Sequence, residues 1–324
     1  MKLAAVLALA ASLPAVADVK INDNFSVSGY ISGSTSYTED SSGGVSSHSS
    51  FLDVDAVKLQ SNVAFDKTTG TISLFTFTSH DPKILDAYAT YKMSDTTTLT
   101  LGKFLSYLGF EAFDYPNMLQ ISYANPMAAF IPAYHSGVKF DFSSGEWSGG
   151  VAVLDSVYGP NYYQGDSDLD NGAGFEGFVK YSKGDSSIFA ALAYDDGNGT
   201  VGSSDKRTTF DIWAQTKVGS TTLAAEYCYS NLDTVGSNID GYFWLVAAVQ
   251  PLSSSWSVTG RISGGEDDNV AISTSTPKFM KYTISPAITL TNNLGFLFEY
   301  SYIDFKNFSA DHESFVAAQM IFKF

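Results

Sequence analysis

Ser314 to Phe324 reads SFVAAQMIFKF, and the alternation in it decides the fold. Val316, Ala318, Met320, Phe322 and Phe324 share one parity, and Phe315, Ala317, Gln319, Ile321 and Lys323 share the other. Side chains of an extended strand point to opposite faces in turn, so the segment predicts a strand with one wholly apolar face. The same period recurs upstream. Leu294, Phe296, Phe298, Tyr300 and Tyr302 stand opposite Glu299 and Ser301. Leu223, Ala225, Tyr227 and Tyr229 stand opposite Thr222, Glu226 and Ser230. Phe175, Gly177, Val179 and Tyr181 oppose Glu176 and Lys180, and Tyr134, Ser136, Val138, Phe140 and Phe142 oppose His135, Lys139 and Asp141. A β-sandwich also alternates, but it buries its apolar face in a dry core. Ionisable residues in mid-strand, opposite rows of Phe, Tyr, Val and Leu, suit a closed barrel in lipid. There the apolar face meets acyl chains, the polar face meets water, and no edge is left open.

The turns support this reading. Short ones (66–70, 94–96, 143–146, 183–186, 219–221, 251–255, 292–293) alternate with connections that are mostly longer and polar (38–50, 79–83, 106–133, 157–172, 197–206, 233–238, 266–277, 306–311). The segments between them make about sixteen strands, each near the ~9–11 residues of a spanning strand. The expected fold class is therefore all-β, a transmembrane antiparallel barrel of the outer-membrane type. An even strand count puts both termini on the short-turn, periplasmic side. Trp147, Tyr181, Trp256 and Phe324 fall beside short turns, where an aromatic girdle belongs.

Composition agrees. The chain has 324 residues, 16% charged and 15% aromatic, and charge lies well below the ~25% of an ordinary soluble domain. The formal net charge of −16 excludes nucleic acid as a partner, since phosphate neutralisation needs clustered Lys and Arg. A single cysteine, Cys228, excludes a disulfide framework and a CxxC zinc site. Residues 1–17, MKLAAVLALAASLPAVA, read as a cleavable signal peptide: Lys2, a short apolar core, then Ala15-Val16-Ala17 before the cut. The mature barrel then spans 18–324, carries a formal charge of −17 without Lys2, and is exported to the cell outer membrane.

The longest connection, 106–133, carries the functional argument. Its sequence, SYLGFEAFDYPNMLQISYANPMAAFIPA, is rich in aromatic and aliphatic residues, whereas a solvated loop would be polar. It is expected to fold into the lumen as the third extracellular loop. A sixteen-stranded barrel leaves an aqueous channel, and such a loop would set its bore. The candidate constriction residues are Glu111 and Asp114 on the loop, Lys139 and Arg261 on lumen-facing strand positions, and Lys103 at the loop entry. Carboxylates facing cations across a bore would make a transverse field that favours polar solutes. Lys103 shares parity with Leu99 and Leu101, so only a bulge or a rim position reconciles it with that role.

Gly102-Lys103-Phe104, Gly109-Phe110-Glu111, Asp114, Asn117, Pro132 and His135-Ser136-Gly137 together resemble the OmpL-like β-barrel porins. The resemblance is strongest over 99–140, and it implies a porin without implying its solute. Family members often carry a basic residue in this loop, but Phe104 to Val138 contains no Lys or Arg. Phe324 at the end of the alternating strand resembles the C-terminal signature that the barrel-assembly machinery reads.

Other chemistry is thin. Asp166, Asp168 and Asp170 alternate as in a calcium loop, but Asn171 replaces the required Gly and Gly177 the bidentate Glu. No cofactor motif is present. The expected function is passive diffusion of small hydrophilic solutes and ions with cation preference. The expected partners are outer-membrane lipid, lipopolysaccharide, the assembly machinery and, as a homotrimer, two further copies. The alternative is a barrel enzyme, hydrolase or protease, with a rim active site; strand count discriminates, since enzymatic barrels have fewer strands and a filled lumen.

Overall fold

The computed structural model describes residues 18–77, 81–127, 130–158, 172–196, 205–234, 237–268 and 276–324. A two-residue bridge, β1 (Val19–Lys20), precedes the long hairpin β2 (Phe25–Ser42) and β3 (Val45–Phe65). Then follow β4 (Thr68–Phe77), β5 (Lys83–Lys92), β6 (Thr97–Leu105) and β7 (Tyr134–Ser144). Next come β8 (Trp147–Leu154), β9 (Gly174–Lys183), β10 (Ser186–Asp196), β11 (Lys206–Val218) and β12 (Thr221–Thr234). The chain ends with β13 (Ser237–Pro251), β14 (Trp256–Asp267), β15 (Lys278–Thr289), β16 (Leu294–Lys306) and β17 (His312–Lys323). Each strand from β2 onward pairs antiparallel with the next, and β17 returns onto β2 from His312↔Ser41 to Lys323↔Tyr30. The result is a closed barrel of sixteen strands, with β1 a short addition on β2.

The alternation sorts as its pattern requires. On β17, Val316, Met320 and Phe322 are exposed while Ala317, Gln319, Ile321 and Lys323 are buried. On β16, Phe298 is 37% exposed and its neighbour Leu297 only 5%. Apolar side chains thus cover the outside, and Glu176, Asp211, Glu226, Arg261, Lys281 and Glu299 are buried within. Cys228 is a free, buried thiol on the interior parity of β12.

The start of β2 and Phe324 lie at the same end of the barrel as the tight turns at Gly145, Gly184 and Gly219. Phe324 is tied into the ladder there: its N–H donates to the Gly29 carbonyl at 3.0 Å, and Gly29 N–H donates to the Phe324 carbonyl at 2.8 Å. Trp147 and Tyr181 pack ring to ring at 4.9 Å beside these turns.

Two expected loops are shorter than the sequence suggested. Residues 38–50 are mostly strand: β2 runs 18 residues and β3 runs 21, joined only by Gly43-Gly44. Both glycines have positive φ, +57° and +81°, the conformation a two-residue hairpin turn requires. The polar composition read as a loop, but the backbone pairing of Ser42 with Val45 and onward holds these strands without an apolar face. Residues 233–238 are likewise mostly strand, with Thr234 paired to Ser237.

Candidate functional site

Loop 106–133 leaves β6 and re-enters β7 through a closed neck, where Ser106 N–H donates to the Ala133 carbonyl at 2.8 Å. Just below it, Gly102 pairs with Gly137. Gly102 has φ +132°, and a Cβ there would lie 2.2 Å from the Ala87 carbonyl oxygen, so only glycine fits. Gly109, at φ +102°, turns the chain over Ile131.

The loop has few backbone partners of its own, and buried N–H groups must be satisfied. Interior carboxylates supply the acceptors. Glu176 on β9 accepts from Ser106 Oγ at 2.7 Å and Tyr107 N–H at 3.1 Å. Asp211 on β11 accepts from Gly109 N–H at 2.8 Å, and Glu226 on β12 from Phe110 N–H at 2.7 Å. At the far end, Glu299 on β16 accepts from Ile121 N–H at 2.6 Å, from Ser122 N–H at 3.0 Å and from the Ser122 hydroxyl. Each bond removes two costs at once, a buried charge and an orphan amide. Lys281 adds a donor to Ser122 Oγ and to the Tyr123 carbonyl, at 2.7 and 2.9 Å.

The loop acids engage the wall in return. Glu111 is ion-paired with Arg261 and accepts from Ala124 N–H at 2.7 Å. Asp114 lies 3.0 Å from Lys58 Nζ, which also stands 3.2 Å from Asp86. Asp114 opens a short 3-10 turn, Tyr115–Asn117, and accepts from Asn117 N–H at 2.9 Å through its carbonyl.

The structure brings two of the expected charges, Glu111 and Arg261, together as a contact pair. Glu111 and Arg261 do not face each other across water. They touch, because opposite charges in a poorly solvated interior attract strongly at contact. Asp114 is paired with Lys58, which the sequence reading did not single out. Lys139 lies over the rings of Phe104 and Tyr107, at 4.7 and 5.1 Å from their centroids. The Tyr107 hydroxyl donates to Asp141 at 2.6 Å. Burial, then that hydrogen bond, pushes the hydroxyl above its ordinary range and keeps it protonated. Lys103 stays apart from the others: its parity is outward, and its ammonium donates to the Ile84 carbonyl at 2.9 Å.

His135 holds the return strand. It is fully buried, edge-on to Phe104 at 5.4 Å, with Nε2 3.6 Å from Glu176 and Nδ1 3.3 Å from the Val157 carbonyl. Asp195 gathers the next connection, accepting from Ser156 Oγ, Val157 N–H and Tyr158 N–H at 2.8, 2.8 and 3.1 Å. The Tyr158 hydroxyl then donates to the Phe130 carbonyl at 2.9 Å, linking this segment to the end of loop 106–133. The calcium candidates Asp166, Asp168 and Asp170, and the signal segment 1–17, lie outside the described residues.

Glu176, Asp211, Glu226, Glu299, Lys58 and Lys281 are the anchors the sequence reading missed as site residues. Glu176, Glu226 and Glu299 were visible as mid-strand acids on the polar parity, but parity does not say which amides they hold. Between the loop and β11–β14 lies a cavity of about 680 Å³, lined among others by Phe110, Met127, Pro132, Trp213, Phe243 and Arg261.

Among solved structures, the barrel is similar to the anion-selective porin from Comamonas acidovorans, at 11% identity and TM-score 0.70, covering 93% of this chain and 99% of that one. It is similar to Salmonella typhi OmpF in complex with daunomycin, at 12% identity and TM-score 0.67, covering 95% and 100%. It is similar to the trimer form of OmpT, an outer membrane protein of Vibrio cholerae, at 14% identity and TM-score 0.65, covering 93% and 99%. At these identities the likeness shows the fold alone. Compared by sequence with curated proteins, the chain matches none. The family model described as "Putative beta-barrel porin-2, OmpL-like" matches residues 19–324. The chain therefore belongs to the OmpL-like β-barrel porin-2 family, a family of outer-membrane channel proteins.

Proposed function

We propose that the protein passes small hydrophilic solutes and ions by passive diffusion, through a bore set by loop 106–133 folded into the lumen. The observation that carries this is the set of loop amides held by interior carboxylates of β9, β11, β12 and β16. Those bonds to side chains of the inner face support a loop folded inward. The end with tight turns and both termini faces the periplasm, and residues 1–17 are removed at Asp18. The apolar exterior meets outer-membrane lipid and lipopolysaccharide, and Phe324, tied to Gly29, presents the terminal strand to the assembly machinery. A homotrimer is the proposed assembly, in line with the trimer form of the Vibrio cholerae neighbour.

We assign the channel a cation preference. The ground for it is the formal net charge of −16 over the chain, with Glu111 and Asp114 on a loop where Phe104 to Val138 holds no Lys or Arg. A low-dielectric wall focuses such an excess along the bore. The barrel-enzyme reading has the sixteen-strand count against it. Single-channel conductance in planar bilayers, with reversal potentials across a salt gradient, tests both statements. Absence of steps refutes the channel, and anion preference refutes the sign.

A further inference from the structure

Asp211 and Glu226, the two wall acids that hold consecutive loop amides, also touch each other. Asp211 Oδ2 accepts from Gly109 N–H at 2.8 Å, and Glu226 Oε1 accepts from Phe110 N–H at 2.7 Å. The acids face the interior from the adjacent strands β11 and β12. Asp211 pairs across with Cys228, two residues from Glu226. That diagonal spacing is within reach of long side chains, and the two carboxyl groups meet within hydrogen-bonding distance. Asp211 is fully buried, and Glu226 is 5% exposed.

The surroundings bring no cation to the pair. Along the sheet, Asp211 stands between Ala191 and Cys228, and Glu226 between Trp213 and Leu245. Among the described residues, no ion pair includes either acid. The cations of the neighbouring elements are engaged elsewhere. Arg261 of β14 holds Glu111, Arg207 of β11 lies over the Tyr158 ring at 3.9 Å, and Lys180 of β9 lies over the Trp213 ring at 5.2 Å. Glu176 of β9 faces His135 of β7 at 3.6 Å. The titratable groups that act on the pair from outside are Glu111 of the loop and the Cys228 thiol, and neither is positive. One oxygen, Asp211 Oδ1, is buried and has no hydrogen-bond partner among the described residues. An ionised oxygen left so is costly, and two carboxylates in contact in a dry interior do not both stay ionised. A single proton between the groups meets both demands. It cancels one charge, bonds the acids to each other, and leaves each an oxygen for its loop amide.

We propose that Asp211 and Glu226 share one proton at neutral pH, and that this proton locks the near end of loop 106–133. When rising pH takes it into water, two negative charges in contact push the carboxylates apart, and Gly109 and Phe110 lose their seat. The lock rests on the bonds of the loop to the wall; only its effect on a bore rests on the porin reading.

Infrared spectroscopy of the full-length protein reads the proton, because a protonated carboxyl absorbs apart from a carboxylate. At neutral pH the wild type should show a buried carboxylic-acid band that disappears on alkaline titration. Asp211→Asn and Glu226→Gln each put an amide N–H where the proton lay and leave one carboxylate to accept it. Each variant should therefore lose the band while its barrel stays heat-modifiable. Hydrogen exchange reads the lock. Corrected for intrinsic exchange, protection of Gly109 and Phe110 should fall roughly tenfold or more from neutral to alkaline pH in the wild type, and by less than about twofold in Asp211→Asn, whose amide does not ionise. A wild type without the band, a band that survives either substitution, or wild-type protection as level as that of Asp211→Asn overturns the proposal. Neither readout needs a current, so a barrel that conducts nothing would sink the porin reading and leave this test intact.

Discussion

Glu299→Ala should release the distal half of loop 106–133 while leaving the barrel intact. Glu299 accepts two backbone amides, Ile121 at 2.6 Å and Ser122 at 3.0 Å, as well as the Ser122 hydroxyl. A hydrogen bond to a charged group contributes about 1.5–3 kcal/mol net. The Ser122 hydroxyl still accepts from Lys281 at 2.7 Å, so the loss is counted on the two amides alone. Taking the low end for each gives ~3 kcal/mol in the local seating equilibrium, on the order of a hundredfold. The outer face of β16 is untouched, because Glu299 and Phe298 have opposite parity. Amide hydrogen exchange reads the effect directly: Ile121 and Ser122 should exchange on the order of a hundredfold faster, with β16 and β17 protected as before. Glu299→Gln, which keeps one acceptor oxygen, should fall between. In bilayers the open-channel current of Glu299→Ala should be noisier. Unchanged protection at Ile121 and Ser122 in a folded Glu299→Ala barrel would refute the latch.

Three further outcomes are expected. Phe298→Arg should cost about 2–4 kcal/mol in refolding titrations, the penalty of a charge on the lipid face near the midplane; Leu297→Arg should cost less, and equal costs would show the register to be wrong. Wild-type reversal potentials should show cation preference that grows as salt falls, because screening weakens. Glu111→Gln with Asp114→Asn removes two negative charges and leaves Arg261 and Lys58 without those partners, so the preference should shift toward anions; an unchanged potential places the loop outside the ion path. Deleting Phe324 removes the terminal bonds to Gly29 and should lower the yield of heat-modifiable barrel in the outer membrane without changing transcript level; a normal yield would sink the role given to this residue.

The barrel was legible because its evidence is local and repeated. SFVAAQMIFKF shows its two faces in eleven residues, and Val316 and Gln319 fall outside and inside as parity demands. The unusual character of 106–133 was legible too, since Phe110, Phe113 and Ile131 have no place in water. What stayed hidden was pairing between distant residues. No periodicity tells that Asp114 meets Lys58 or that Glu111 meets Arg261, 150 positions away. The wall carboxylates looked like solvated lumen charges because their partners are backbone amides, which every residue but proline has. The 38–50 hairpin was misread for a different reason: its strands pair through their backbones without an apolar face to betray them, and Ser and Gly then look like loop.

The barrel closes through β2 and β17, so Gly29 must wait for Phe324, which follows β17, before its hydrogen bonds exist. The seat of loop 106–133 has the same history. Its anchors on β9, β11, β12 and β16 all follow it in the chain, whereas Lys58 precedes it. Contacts of such long sequence separation form late, because loop-closure entropy is spent before they return anything. The loop is thus made early and seated last. Any holding factor that acts on the emerging chain has to keep the aromatic stretch Tyr107–Ile131 from sticking elsewhere until β16 arrives, and the order of translation is close to the reverse of the order of assembly.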